Sequence, residues 1–139
     1  MMDSLYITSV KTNSRRYKLE LDELADVLNH RNWSPIEYRA CERSLQISIE
    51  ACIGVSKHWC KKLAKRSPVE AYEAFELLSQ YQYVSLDELI NWRKIIGLRN
   101  ALVHDYLNID PEIVRSVIIN RYYNDIFIFI EKGLKELSE

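Results

Sequence analysis

Helix starts punctuate this chain more densely than turns do. Ser34-Pro35-Ile36-Glu37, Ser67-Pro68-Val69-Glu70 and Ser85-Leu86-Asp87-Glu88 each set a hydroxyl three residues ahead of a glutamate. The hydroxyl accepts from a free amide of the first turn while the glutamate reaches back to the cap amide, so each box predicts a helix N-terminus. Two of the boxes place proline at the first helical position, where its missing amide costs nothing. Asp110-Pro111-Glu112 repeats that device with an acidic cap. With only three glycines and three prolines in 139 residues, turn-formers are too scarce for a many-stranded fold.

Apolar spacing extends these starts into helices. Tyr17, Leu21, Leu24 and Leu28 predict a first helix ending near Asn29, beginning either at Ser4 or nearer Asn13 because residues 11–16 are polar on every side. Tyr38, Cys41, Leu45, Cys52, Val55 and Trp59 carry a second helix from Ser34 to about Lys65. A third follows Ser67 to about Ser79, and Gln80-Tyr81-Gln82-Tyr83 forms the loop before the Ser85 helix. From Asp110, Ile113, Val117, Tyr122, Ile126, Phe129, Ile130, Leu134 and Leu137 predict one last helix running close to the C-terminus. The expectation is an all-α, up-and-down bundle of about five helices, with residues 1–139 as a single domain free of repeats and linkers.

Hydrophobic residues make up 47% and charged residues 28% of the chain, too apolar a mixture for disorder. Met1-Met2-Asp3-Ser4 is not followed by a basic stretch and an apolar run, and no window reaches the length of a membrane span. A cytoplasmic protein with no membrane partner is expected. Cys41, Cys52 and Cys60 fall on one predicted helix, where they cannot bridge, and lack the paired spacing of a zinc site. A net charge of −1 means that any nucleic-acid contact needs a local patch. Lys57, Lys61 and Lys62, with Lys65 and Arg66, form the densest basic cluster, and Arg15, Arg16 and Lys18 a second. Each is either an RNA-binding patch or a solvated helix face.

The Ser85 helix carries the chemistry. From Ile95 onward, Ile95, Ile96, Leu98, Leu102 and Val103 cover most of its circumference, which predicts burial on most sides. Arg93, Gly97, Asn100 and His104 share a narrow strip on the remaining side, which should line a groove or a subunit contact. Arg99 and His104 stand about 140° apart on a regular helix. They converge only if the helix loosens near His104, if the arginine wraps round, or if a second subunit completes the pocket. An arginine can hold a phosphate and stabilise the charge that builds on it, and a histidine can exchange protons near neutral pH. Because RNA supplies its own 2′-hydroxyl nucleophile, those two groups suffice for strand cleavage. The bland alternative is a carbonyl-capping arginine and a satisfied helix-end histidine. Glu50, set among Ile49, Ala51, Cys52 and Ile53, either pairs with Arg99 or Arg93 across helices or faces solvent.

The wider block Gly97-Leu98-Arg99-Asn100-Ala101-Leu102-Val103-His104-Asp105-Tyr106 resembles the signature of the HepT family in the HEPN superfamily. That signature is Arg-x4-His, commonly with asparagine after the arginine, extended to a tyrosine two residues past the histidine. Residues 40–46 and 49–53 also resemble the family's second helix; the first thirty residues contribute least. The resemblance implies a homodimeric toxin, a metal- and cofactor-independent endoribonuclease acting on tRNA or mRNA. Arg99 and His104 would be its catalytic residues, with Asn100 and Glu50 in support. It also implies a cognate MntA-type nucleotidyltransferase antitoxin that transfers AMP to Tyr106, placing bulk and negative charge where the substrate phosphate binds. A competing expectation is a catalytically silent HEPN module that binds a nucleotidyltransferase or a nucleotide. A dinuclear-metal bundle is disfavoured, since no Glu-x-x-His pair occurs.

Overall fold

A computed structural model of the chain describes residues 4–139, the side chain of Tyr106 excepted. It is built from six α-helices: α1 (Ser4–Leu28), α2 (Pro35–Ala64), α3 (Ala71–Gln80), α4 (Leu86–His104), α5 (Pro111–Ile119) and α6 (Asn124–Ser138). A single 3-10 turn, Tyr106–Asn108, joins α4 to α5. Among the described residues no strand forms, and no helix is long and apolar enough to cross a membrane.

Two of the capping boxes close as expected. The Ser34 hydroxyl accepts from the Glu37 amide at 3.2 Å, and the Glu37 carboxylate accepts from the Ser34 amide at 2.8 Å. The corresponding distances for Ser85 and Glu88 are 3.1 and 2.9 Å. Glu37 also takes both guanidinium nitrogens of Arg31, and that pairing, with the cap amide, holds its carboxyl down to about 2.

The Ser67 box does not start a helix. Pro68 is buried in the connection, the Lys57 ammonium donates to the Val69 carbonyl at 2.7 Å, and α3 begins only at Ala71. The proline serves as an anchor for the connection, and the helix starts where the buried stripe Ala71, Ala74, Phe75 and Leu78 can begin. The first helix takes the longer of its two expected forms, starting at Ser4.

The expected last helix is broken in two. The Asn120 side chain folds back on the Ser116 carbonyl at 2.9 Å, and Arg121 adopts a left-handed φ of 55°. Its guanidinium then reaches Asp22 at 3.1 Å and Asp26 at 2.9 Å on α1, while the hydroxyl of fully buried Tyr123 donates to Asp22. Burial by itself raises the Asp22 carboxyl. Hydrogen bonds from Lys18 and Tyr123, with the charges of Lys18 and Arg121, outweigh it and leave Asp22 below the ordinary carboxylate range. These bonds compensate for the lost helical turn and tie the α5–α6 junction to α1.

The core centres on Trp59, Phe75, Trp92 and Phe129, one ring from each of α2, α3, α4 and α6. Ring centroids lie 4.5 Å apart for Phe75 and Trp92, and 4.9 Å apart for Trp92 and Phe129. Gly133 lets α6 press against α2, since a methyl group there would collide with Val55. Cys41, Cys52 and Cys60 are free, buried thiols; burial pushes Cys41 up to about 12 and Cys60 to about 11.

Candidate functional site

α4 runs antiparallel to α2, with Tyr83 ahead of it packed on Trp59 and Arg99 lying beside Glu50. The apolar surround expected from Ile95 onward is only partly buried. Trp92, Ile96 and Leu102 are buried, but Ile95 and Leu98 are half-buried and Val103 is 39% exposed. The reason is topological: α4 is an outer helix packed on α2 and α3, and α5 leaves an apolar groove of about 440 Å³ over Ile95 and Leu98, walled by Ile49 and Val117. The polar strip of Arg93, Gly97, Asn100 and His104 is exposed along its whole length. A side chain at Gly97 would meet no atom within 4 Å, so this side of α4 is open to a second molecule.

Arg99 projects toward α2, where its Nη1 donates to Glu50 Oε1 at 2.9 Å. Of the readings open for Glu50, the pairing with Arg99 is the one observed; Arg93 instead lies over the Tyr72 ring at 4.8 Å. The Arg99 side chain is 21% exposed and its Nε is buried without a partner among the described residues. The guanidinium is thus oriented by one carboxylate and keeps donors for an anion.

His104 closes α4. The Asp105 amide donates to the Ala101 carbonyl at 2.9 Å, so the helix remains regular up to the histidine and does not loosen before it. The imidazole is exposed, and neither it nor Asn100 makes a hydrogen bond or ion pair among the described residues. Arg99 is held to α2 and does not wrap round. Within one chain the two motif side chains are therefore on different sides of α4, about 140° apart. Beyond them Asp105 accepts from the Asn108 side chain at 2.7 Å and starts the 3-10 turn. The backbone of Tyr106 opens that turn; its side chain lies outside the described residues.

The basic cluster is elsewhere. Lys57 holds the Val69 carbonyl, and Lys62 holds the carbonyls of Glu136 and Glu139 at the end of α6. Lys61 is exposed, on the stretch of α2 that leads away from His104. The Lys62 contacts knit the C-terminal ends of α2 and α6 together, and the Lys57 contact ties α2 to the connection that leads into α3. What the residue pattern did not reveal is the α1 anchor of the α5–α6 junction: Asp22 and Tyr123 are 101 residues apart, with no local signal linking them.

Six helices in this order, with Arg99 turned from the fourth toward the second and His104 exposed at the fourth's end, define a HEPN-type toxin fold. The chain superimposes with a TM-score of 0.80 on a tri-AMPylated HEPN toxin of Shewanella oneidensis in complex with MNT antitoxin, at 24% identity over 96% of this chain and 98% of that one. Within that class, the ribonuclease HepT-like family matches residues 15–133, and the chain belongs to it. It is 32% identical over 88 residues to the mRNA nuclease HepT of Shewanella oneidensis, and 37% identical over 70 residues to the tRNA nuclease HepT of Aphanizomenon flos-aquae. Those stretches cover 63% and 50% of this chain, and 65% and 48% of the two relatives.

Proposed function

We propose that this chain is the toxin of a toxin–antitoxin pair: a cytoplasmic, homodimeric, metal-independent endoribonuclease acting on tRNA or mRNA through Arg99 and His104. One observation carries this: the motif helix presents a guanidinium already oriented by Glu50 and an exposed imidazole with no hydrogen-bond partner among the described residues. The first is suited to hold a phosphate and the second to accept a proton. His104 removes the 2′-hydroxyl proton, and the 2′ oxygen attacks the neighbouring phosphorus. The bond to the 5′ oxygen breaks, leaving a cyclic phosphate, and the departing 5′ oxygen takes a proton from solvent to end as a hydroxyl. Arg99 offsets the charge that grows on the phosphate oxygens. Since the two groups diverge on one helix, the pocket is completed by a second copy meeting the exposed strip around Gly97, with Asn100 orienting the imidazole or the phosphate.

The same reading assigns Tyr106 as the residue to which an MntA-type nucleotidyltransferase antitoxin transfers AMP. Its backbone begins the 3-10 turn two residues after His104, so a phosphate on its hydroxyl would compete with the substrate phosphate for the motif.

The test is incubation of purified protein with total tRNA in EDTA. The wild type cleaves, and His104→Ala and Arg99→Ala do not, although both keep the helical circular-dichroism signal and the oligomeric state. Cleavage persisting in both variants overturns the assignment. Co-expression with an MntA-type nucleotidyltransferase should add one or more AMP units to the Tyr106 peptide. Such modification of a protein that never cleaves RNA would instead identify a non-catalytic HEPN module.

A further inference from the structure

A second groove, of about 390 Å³, runs between α1 and α2, a volume within the about 300–1,000 Å³ typical of small-ligand sites. Its origin is in the sequence. Ser48, Ala51 and Gly54 stand at three-residue intervals on α2, opposite Ser14 on α1, so small side chains make the floor. The Ser48 hydroxyl donates to the Ser44 carbonyl and the Ser14 hydroxyl to the Lys11 carbonyl, so the floor's polar atoms are satisfied internally. Along the rim are Tyr6, Asn13, Arg16 and Tyr17, and at the mouth lies Glu50.

Glu50 belongs to both places: its carboxylate holds Arg99 of α4, and the same residue lines this groove. The groove therefore meets the Arg99 pair at Glu50. Among its described lining residues the only acid is Glu50, which Arg99 neutralises. Its cation, Arg16, is exposed, forms no ion pair among the described residues, and lies over the Tyr17 ring at 5.2 Å. A guanidinium stacked with an aromatic ring, beside an amide side chain, is suited to a nucleobase. Such platforms hold single-stranded RNA with little dependence on base identity.

We infer that one nucleotide flanking the scissile phosphate lies in the α1–α2 groove, its base stacked with Arg16 and Tyr17 and its edge facing Asn13. This rests on the ribonuclease reading and adds a substrate-positioning site to it. The second basic cluster of the sequence thereby acquires a role through Arg16, whereas the denser lysine cluster does not.

The experiment uses the full chain carrying His104→Ala and a single-stranded RNA oligonucleotide with 4-thiouridine flanking the mapped cleavage site. Ultraviolet crosslinks are expected in the α1 peptide containing Asn13 to Tyr17. In the same background Arg16→Ala, a change at an exposed position, weakens binding about tenfold. An abasic nucleotide at the flanking position removes that difference. Crosslinks confined to other helices, binding within twofold for Arg16→Ala, or an equal penalty on abasic RNA would each overturn the assignment. If Arg16→Ala weakens the nucleotidyltransferase complex while RNA binding is unchanged, the groove is a protein surface and the inference is likewise overturned. Wild-type protein that cleaves normally alongside a neutral Arg16→Ala refutes the groove alone. Wild-type protein that neither binds nor cleaves RNA refutes the parent reading as well.

Discussion

The two halves of α4 live in different surroundings. Its N-terminal half contributes Trp92, 4% exposed, to a cluster of rings from four helices. Its C-terminal half ends in an exposed His104, followed by a turn in which Leu107 is 83% exposed. One helix therefore connects the part of the molecule where stability resides to the part where chemistry is expected, and a single substitution should disturb one without the other.

The largest effect should come from the packed half. Phe129 touches Trp59, Phe75 and Trp92, so Phe129→Ala should destabilise the fold by about 3–5 kcal/mol, the usual range for a large aromatic truncation with a residual cavity. Urea denaturation measures it. A loss under about 1 kcal/mol would show that the aromatic cluster is not the keystone, and the contrast along α4 would collapse.

Much of this division is legible in the residues themselves, and what is not has a physical cause. The Ser34 and Ser85 boxes announce their helices because a cap is a local interaction among four residues. The Ser67 box carries the same letters, yet burial of Pro68 overrides it, and burial is a property of the whole fold. The break between α5 and α6 leaves one trace, the step of five from Val117 to Tyr122; the buried ring is Tyr123, and Tyr122 is 61% exposed. The Arg99–Glu50 pair is one of three alternatives that the residues leave open, beside pairing with Arg93 and facing solvent, and how α2 and α4 pack decides it. That Arg99 and His104 diverge follows from helical geometry once the helix is known to stay regular to its end.

The α5–α6 junction is the next point at which to press. Tyr123→Phe removes the buried hydroxyl that donates to Asp22, and should cost about 1–2 kcal/mol. Asp22 is depressed in the fold, so its contribution is fully present above its unfolded value of about 3.9 and is lost as pH falls through the lower folded value. The wild type should lose stability across that acidic window, and Tyr123→Phe should lose less. An identical acid slope in both proteins would remove Asp22 as the latch.

Nearer the motif, Glu50→Gln should leave stability within about 1 kcal/mol, since the Glu50 side chain is 45% exposed and such pairs contribute little. RNA cleavage should nevertheless fall about tenfold, the effect of about 1.4 kcal/mol on a rate, because the guanidinium is no longer oriented. A variant that loses stability but not activity would make this pair a structural one and blur the division along α4.

The smallest effect separates the two ends most cleanly. Lys61 lies eleven residues beyond Glu50 on α2, about 16 Å along the helix axis. At about 0.15 M salt the screening length is only about 8 Å, so RNA confined to the motif end should scarcely register this charge. Lys61→Ala should change KM by less than about twofold there, and by more at about 0.01 M salt, where screening extends to about 30 Å. A large change at the higher salt would mean that RNA runs the full length of α2, past carbonyls that Lys57 and Lys62 already hold. The packed end would then be part of the substrate surface, and stability and binding would share residues that the fold otherwise keeps apart.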